Sequence, residues 1–345
     1  MLKKVICVFV CLLLCSRVFT FDSLAANVIS PSFNNEKGPV STTDNEISAK
    51  NALSGYYVCS INDGYQQRYF KANIIKNLNK KVDTIVIGSS HFLPLSIKND
   101  NEKFINLALG AANLKDRMNI LGLLELYDIQ YDNVLFEIDI TSFVDIAMAE
   151  LTEYSAFHKY GNYFNDLITH KSDVEIPELD FDDYYENKFS DILIWDLYKV
   201  YGHDNLVDGM LYYAPDASQC YDKFLVFDDE NQRKTLKEDN TRLLKLDVKE
   251  ENKEIIINII KYFKSKGKNI TLLMTPRPAY LYDDAKLGTS KIVKSINEFV
   301  ISLIKDYNCN LLGSLNPHDI GVEDKDFMDG FHLTQEAVNR IYGKY

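Results

Sequence analysis

Five short apolar runs, at residues 84–87, 104–109, 133–138, 270–275 and 310–312, constrain the fold of this chain more than any other feature. None alternates cleanly between polar and apolar residues, which is the pattern of parallel strands covered on both faces. Segments with helical spacing lie between several of them. Residues 113–126 carry apolar side chains at intervals of three and four. Residues 249–266 are clearer: Asp247 and Glu250 fit an N-cap box, Ile255, Ile256, Ile259, Ile260 and Phe263 form one apolar face, and Gly267 ends the segment. Strands alternating with helices predict an α/β protein, a doubly wound, mostly parallel sheet in three layers (α/β/α). In such sheets ligands sit at the carboxyl ends of the strands.

With 345 residues, 46% of them hydrophobic, the chain can bury a full core as one large domain or one domain with an insertion. Residues 143–246 break the alternation and read as an insertion between the third and fourth strands, forming helices and loops over the site. They are rich in Tyr, Phe and Asp, as in Asp180-Phe181-Asp182-Asp183-Tyr184-Tyr185. These aromatics, with Trp195, either stack on sugar rings or pack as core.

The start of the chain reads as an export signal, residues 1–25. Met1-Leu2-Lys3-Lys4 is a short basic segment, residues 5–15 are unbroken apolar, and Ser23-Leu24-Ala25 offers small residues for cleavage. The apolar run is shorter than the ~20 residues of a comfortable membrane span, so the segment is either cleaved or kept as a thin anchor. Residues 26–51 have the polar composition of a linker, and the folded domain, residues 52–345, begins in earnest near Tyr56. Cys7, Cys11 and Cys15 fall in the signal, which leaves Cys59, Cys220 and Cys309. That is too few for a disulfide scaffold, and no spacing suits structural zinc. The net charge of −12 repels phosphate backbones and excludes nucleic acid as a partner. The expected location is extracytoplasmic, at a bacterial cell surface.

Two short motifs carry the chemistry. Gly88-Ser89-Ser90-His91 follows the first strand, where glycine allows a sharp turn and a serine is presented at its tip. Asp329-Gly330-Phe331-His332 puts a carboxylate three residues before an imidazole, close enough to hold one tautomer. Chance supplies about one such acid–histidine spacing in a chain with six histidines and 50 acidic residues, and only His332 has it. Together the motifs offer a nucleophile, a base and an orienting acid, the three roles of serine acyl transfer. No glycine-rich phosphate loop supports a nucleotide-binding alternative.

The run Val86 to His91, the run Ile105-Asn106-Leu107-Ala108-Leu109-Gly110-Ala111-Ala112-Asn113, and Asp329 to Leu333 together resemble the SGNH/GDSL hydrolase superfamily. The nearest likeness is to its extracytoplasmic acyltransferase-like branch, which includes proteins similar to the teichoic-acid D-alanyl transfer protein and the polysaccharide O-acetyltransferases. The resemblance implies a flavodoxin-like fold, Ser90 as nucleophile, His332 as general base and Asp329 as its orienting acid. It implies an oxyanion hole built from the N–H groups of Ser90, Gly110 and Ala111, and no metal or organic cofactor. Its partners would be an acylated glycan or glycopolymer and, for a transferase, a membrane-bound O-acyltransferase that delivers the acyl group.

Three departures from that pattern stand out. Ser89 occupies the place where many members have Asp. Ala111 replaces a usual Gly, a change its N–H survives if φ is negative. The third block, Phe136-Glu137-Ile138-Asp139-Ile140-Thr141, lacks the Asn that serves most of these hydrolases, as does the acyltransferase-like branch. Glu137 or Asp139, ionised nearby, would repel an oxyanion, while Thr141 or Ser142 either replaces the missing donor or is structural. His91 either reaches the substrate or caps the following turn. Arg277, in a proline-braced loop after the fourth strand, meets an anionic substrate group or pairs with the acidic insertion. The altered third block also leaves open an inert relative that binds or assembles glycans at the cell surface.

Overall fold

The computed structural model describes residues 41–42, 45–60, 64–97, 102–144, 155–179, 198–201, 212–220, 238, 247–284, 291–329 and 331–343. In chain order the strands are β1 (Ser41–Thr42), β2 (Tyr57–Ser60), β3 (Thr84–Ile87), β4 (Phe104–Asn106), β5 (Asn133–Glu137), β6 (Tyr198–Tyr201), β7 (Tyr212–Tyr213), β8 (Gln219–Cys220), β9 (Asn269–Met274) and β10 (Asn310–Gly313). The helices are α1 (Asn45–Leu53), α2 (Gly64–Asn77), α3 (Leu114–Leu126), α4 (Ser155–Ile168), α5 (Glu250–Ser265), α6 (Ala279–Tyr282), α7 (Lys291–Tyr307) and α8 (Gln335–Tyr342).

Five strands form a parallel sheet in the order β10-β9-β5-β3-β4, so the chain is α/β. The strand order reverses at β3, whose neighbours are β4 on one side and β5 on the other. The absence of polar alternation in these runs now has its reason. Ile85, Ile87, Val134, Phe136, Ile270 and Leu272 join one buried apolar cluster, with side chains of α3, α5 and α7. Val86, Leu135 and Leu273 point the other way, into a cluster shared with Ala337, Val338 and Tyr342 of α8. Both faces exclude water, and each fully buried Leu, Ile or Val contributes about 1.5–3 kcal/mol.

The other strands make a small antiparallel sheet, β1-β6-β2-β7-β8. Among the described residues no helix is long and apolar enough to cross a membrane.

Several elements differ from expectation for identifiable reasons. The second strand ends at Asn106 rather than continuing to 109. Beyond it the Leu107 and Leu109 N–H groups still donate to the carbonyls of Val86 and Gly88, while the Asn106 amide donates to the carbonyls of Phe92 and Leu95 and its oxygen accepts the Ala108 N–H. Helix α5 begins at Glu250 without the Asp247–Glu250 box. Lys249 is its N-cap with no side-chain bond, and Glu250 accepts from Lys253 instead, while Gly267 (φ +70°) closes the helix as read. The export signal and most of the polar linker lie outside the described residues. The end of that linker, however, belongs to α1, which buries Ser48, Ala49 and Ala52, so ordered structure starts before Tyr56. The small side chains on this face let α1 lie close to α2.

Residues 180–197, with Trp195, and most of the 143–246 insertion also lie outside the described residues. Its described start is a core helix, not a cover. Helix α4 crosses α3 at two glycines: a Cβ on Gly122 would lie 2.1 Å from the Tyr160 carbonyl oxygen, and the Gly161 N–H donates to Asn119. Gly122→Ala must therefore push the helices apart. We expect it to cost about 1–3 kcal/mol of stability, read as a lower denaturant midpoint at unchanged slope.

Candidate active site

The nucleophile turn grows out of β3. Ser89 is the N-cap of a short 3-10 turn, Ser90–Phe92, and its extended backbone aims the following residue out of the sheet. Gly88 makes that exit sterically possible, because a Cβ there would sit 3.0 Å from a Glu137 carboxylate oxygen. Ser90 is partly exposed, and its Oγ lies 2.8 Å from His332 Nε2.

The histidine is held by its own loop. Phe327 and Leu333 form an antiparallel bridge, Met328 N–H donates to the His332 carbonyl, and Thr334 N–H donates to that of Asp326. The Thr334 hydroxyl then caps α8. Within this loop Asp329 does three things. One carboxylate oxygen lies 2.6 Å from His332 Nδ1, and the other accepts the backbone N–H groups of Phe331 and His332. Ser90, His332 and Asp329 thus stand in line, hydroxyl to imidazole to carboxylate.

The charges follow from this geometry. Burial would raise Asp329, but the His332 charge and the N–H bonds outweigh it and hold its pKa at about 2. Burial likewise opposes a charged His332, yet the Asp329 carboxylate, with a further contribution from Glu137, raises the imidazole above 6.5. Nδ1 keeps its proton for Asp329, which leaves Nε2 able to accept one from Ser90.

Beneath the turn is a buried charged network that the motifs alone do not reveal. Glu137, at the end of β5, accepts the Ser89 N–H, and its carboxylate lies 3.0 Å from Ser89 Oγ and 3.1 Å from His91 Nδ1. Arg117, from α3, spans Glu137 at 3.1 Å and Asp139 at 3.0 Å and also donates to Ser142. Burial alone would raise Asp139, but the guanidinium beside it drives its pKa far below the usual range. Ligand-type atoms of His91, Glu137 and Asp139 lie within 4.8 Å of one another. The positive charge seated between the two carboxylates is Arg117, which is what a cation there would have to replace.

The remaining site residues settle as follows. His91 is buried, bonded to Glu137, with its ring 4.7 Å from Phe331 and 5.2 Å from His332. Arg277 is buried too, its guanidinium over the Phe331 ring at 5.3 Å. Burial lowers its pKa, and among the described residues the carboxylates of Asp139 and Glu137 act against that fall. Thr141 and Ser142 both bond Asp139 and are structural.

Of the three oxyanion donors, the Ser90 N–H opens the 3-10 turn and has no intrahelical acceptor. The Gly110 N–H differs from expectation, being engaged by Gln67 Oε1 at 2.6 Å. Ala111 differs as well: its φ is +53°, in the left-handed region that glycine favours, at a cost of ~1–2 kcal/mol. Arg117 and Gln67 were missed in the sequence. The one available signal was a guanidinium inside the largely apolar stretch 114–124, which must find a buried partner. Gln67 had none, since its partner is 43 residues away.

No family model, curated protein or solved structure matches this chain. The chemistry of the site therefore rests on its own geometry.

Because Asp329 raises the imidazole, replacing it by Asn should bring the His332 titration to lower pH. Proton-detected NMR of the ring should show a midpoint above 6.5 in the native protein and a lower one in Asp329→Asn. Equal midpoints would mean that the carboxylate does not govern the base.

Proposed function

We propose that this chain is an exported SGNH-type serine esterase or O-acyltransferase, acting on acyl groups of a cell-surface glycan or glycopolymer. The single observation that supports it is the 2.8 Å approach of Ser90 Oγ to His332 Nε2, with Asp329 2.6 Å from the far ring nitrogen. The reading includes a three-layer, doubly wound, flavodoxin-like arrangement of the parallel sheet. The place of the site agrees with that arrangement, at the carboxyl ends of β3 and β5 where the strand order reverses.

The reaction runs in two halves. Ser90 Oγ attacks the acyl carbonyl carbon while its proton passes to His332 Nε2. The carbonyl oxygen becomes an oxyanion facing the Ser90 N–H, joined by that of Gly110 once Gln67 releases it. The carbon–oxygen bond to the leaving alcohol then breaks, and that alcohol takes the proton from His332. Water, or a hydroxyl of a second glycan, loses a proton to His332 as it attacks the acyl carbon. The bond from that carbon to Ser90 Oγ then breaks, Oγ takes the proton back from His332, and the free acid or the new ester leaves. Each oxyanion donor is worth about 3–4 kcal/mol. In the transferase form, a membrane-bound O-acyltransferase supplies the acyl donor.

One observation favours a second reading, an inert SGNH-fold protein that binds or assembles glycans. The Gly110 donor is occupied by Gln67, and the third block supplies no Asn. A fluorophosphonate probe separates the two, since it labels only an activated serine. We expect stoichiometric labelling of the native protein and none of Ser90→Ala or His332→Ala. Labelling of none, or of all three alike, would leave the binder.

A further inference from the structure

The network under the turn has a feature that packing alone does not require. Glu137 is completely buried, yet its carboxylate does not simply pair with Arg117. It also accepts the Ser89 N–H and faces Ser89 Oγ, His91 Nδ1 and Thr275 Oγ1. One carboxylate thereby ties the end of β5 to the turn leaving β3 and to the loop after β9. The N–H it grips belongs to Ser89, the residue immediately before Ser90. Its charge also reaches His332, where it adds to the effect of Asp329.

We propose that Glu137 is a positioning residue for the nucleophile: its carboxylate, held by Arg117, clamps the Ser89 N–H and so sets the direction in which Ser90 Oγ leaves the turn. The inference rests on the acyl-transfer reading above. When Ser90 Oγ bonds to the acyl carbon, its proton and a full positive charge arrive on the His332 ring. Asp329 meets that charge directly at Nδ1. Glu137 acts at longer range, from a site where burial weakens screening. Arg117 holds the clamp in place, its guanidinium 3.1 Å from the Glu137 carboxylate. A turn residue displaced by about 1 Å can lower a rate by 10²-fold.

The test is the rate of fluorophosphonate labelling against pH on the full chain, with circular dichroism as the check on folding. Glu137→Gln keeps the size but removes the charge. We expect its plateau rate to fall about 10–100-fold, and its rising limb to move to lower pH, because His332 loses a stabilising negative charge. Glu137→Asp keeps the charge but withdraws it by one methylene. Its plateau should fall while its rising limb stays where the native protein has it. A native protein that labels, with a Gln variant of equal rate and limb, overturns the inference. So does a variant that only loses labelled fraction, its surviving molecules reacting at the native rate and pH. If the Gln variant does not fold, the Asp variant decides, and a plateau within twofold of native overturns the proposal. A native protein unlabelled at every pH would instead remove the acyl-transfer reading, and this inference with it.

Discussion

A carboxylate buried in an α/β core must bring its own counter-charge, and in this protein the strand at the centre of the sheet ends in two of them. Glu137 and Asp139 close β5 with almost no solvent exposure, and Arg117 reaches from α3 to hold both. Losing one member of such a group typically costs 3–5 kcal/mol, because the other charges stay buried without compensation. Arg117 is 1% exposed, and its Nε has no hydrogen-bond partner among the described residues, so even this arrangement is not fully satisfied. The cluster joins α3, β5 and the exit from β3, the three elements that must keep their places for a serine to be presented at the sheet's edge.

Around that cluster the topology does the rest. The strand order reverses at β3, and the turn that leaves its carboxyl end lies against the end of β5 through the Ser89 N–H and Glu137. The second half of the site arrives from 242 residues away, on a loop pinned by its own bridge and by the cap of α8. Phe331, adjacent to His332, packs against the rings of His91 and His332 and under Arg277, so the imidazole is held by an apolar contact as well as by Asp329. Such redundancy matters for a base whose ring must keep one orientation across a change of charge.

The oxyanion side is organised differently. Gln67 lies on the Gly110 N–H, and Ala111 is held at a φ that costs energy for any residue with a Cβ. Strain of this kind persists only where the surroundings over-determine the backbone, and it clusters at functional turns. The Ser90 hydroxyl and the His332 ring meet directly, while the Gly110 N–H is engaged by the Gln67 side-chain carbonyl.

Much of this was legible in the chain alone. Apolar runs without alternation determine parallel strands, and β3, β5, β9 and β10 lie within a residue or two of where the runs place them. Strands β3, β5 and β9 meet almost no water on either face, whereas the edge strand β10 is half-buried to exposed. Gly267 ends its helix because a left-handed residue is inexpensive only for glycine. The pairing of Asp329 with His332 was also local, a matter of three-residue spacing. What only the tertiary structure decided are the contacts whose partners are far apart: Arg117 with Glu137, Gln67 with Gly110, Gly122 against Tyr160, and the insertion's first helix as core. Periodicity reports which face of an element is dry but not which distant charge will share that dryness. The energy of a buried ion depends on its partner's position, and that position exists only once the chain has folded.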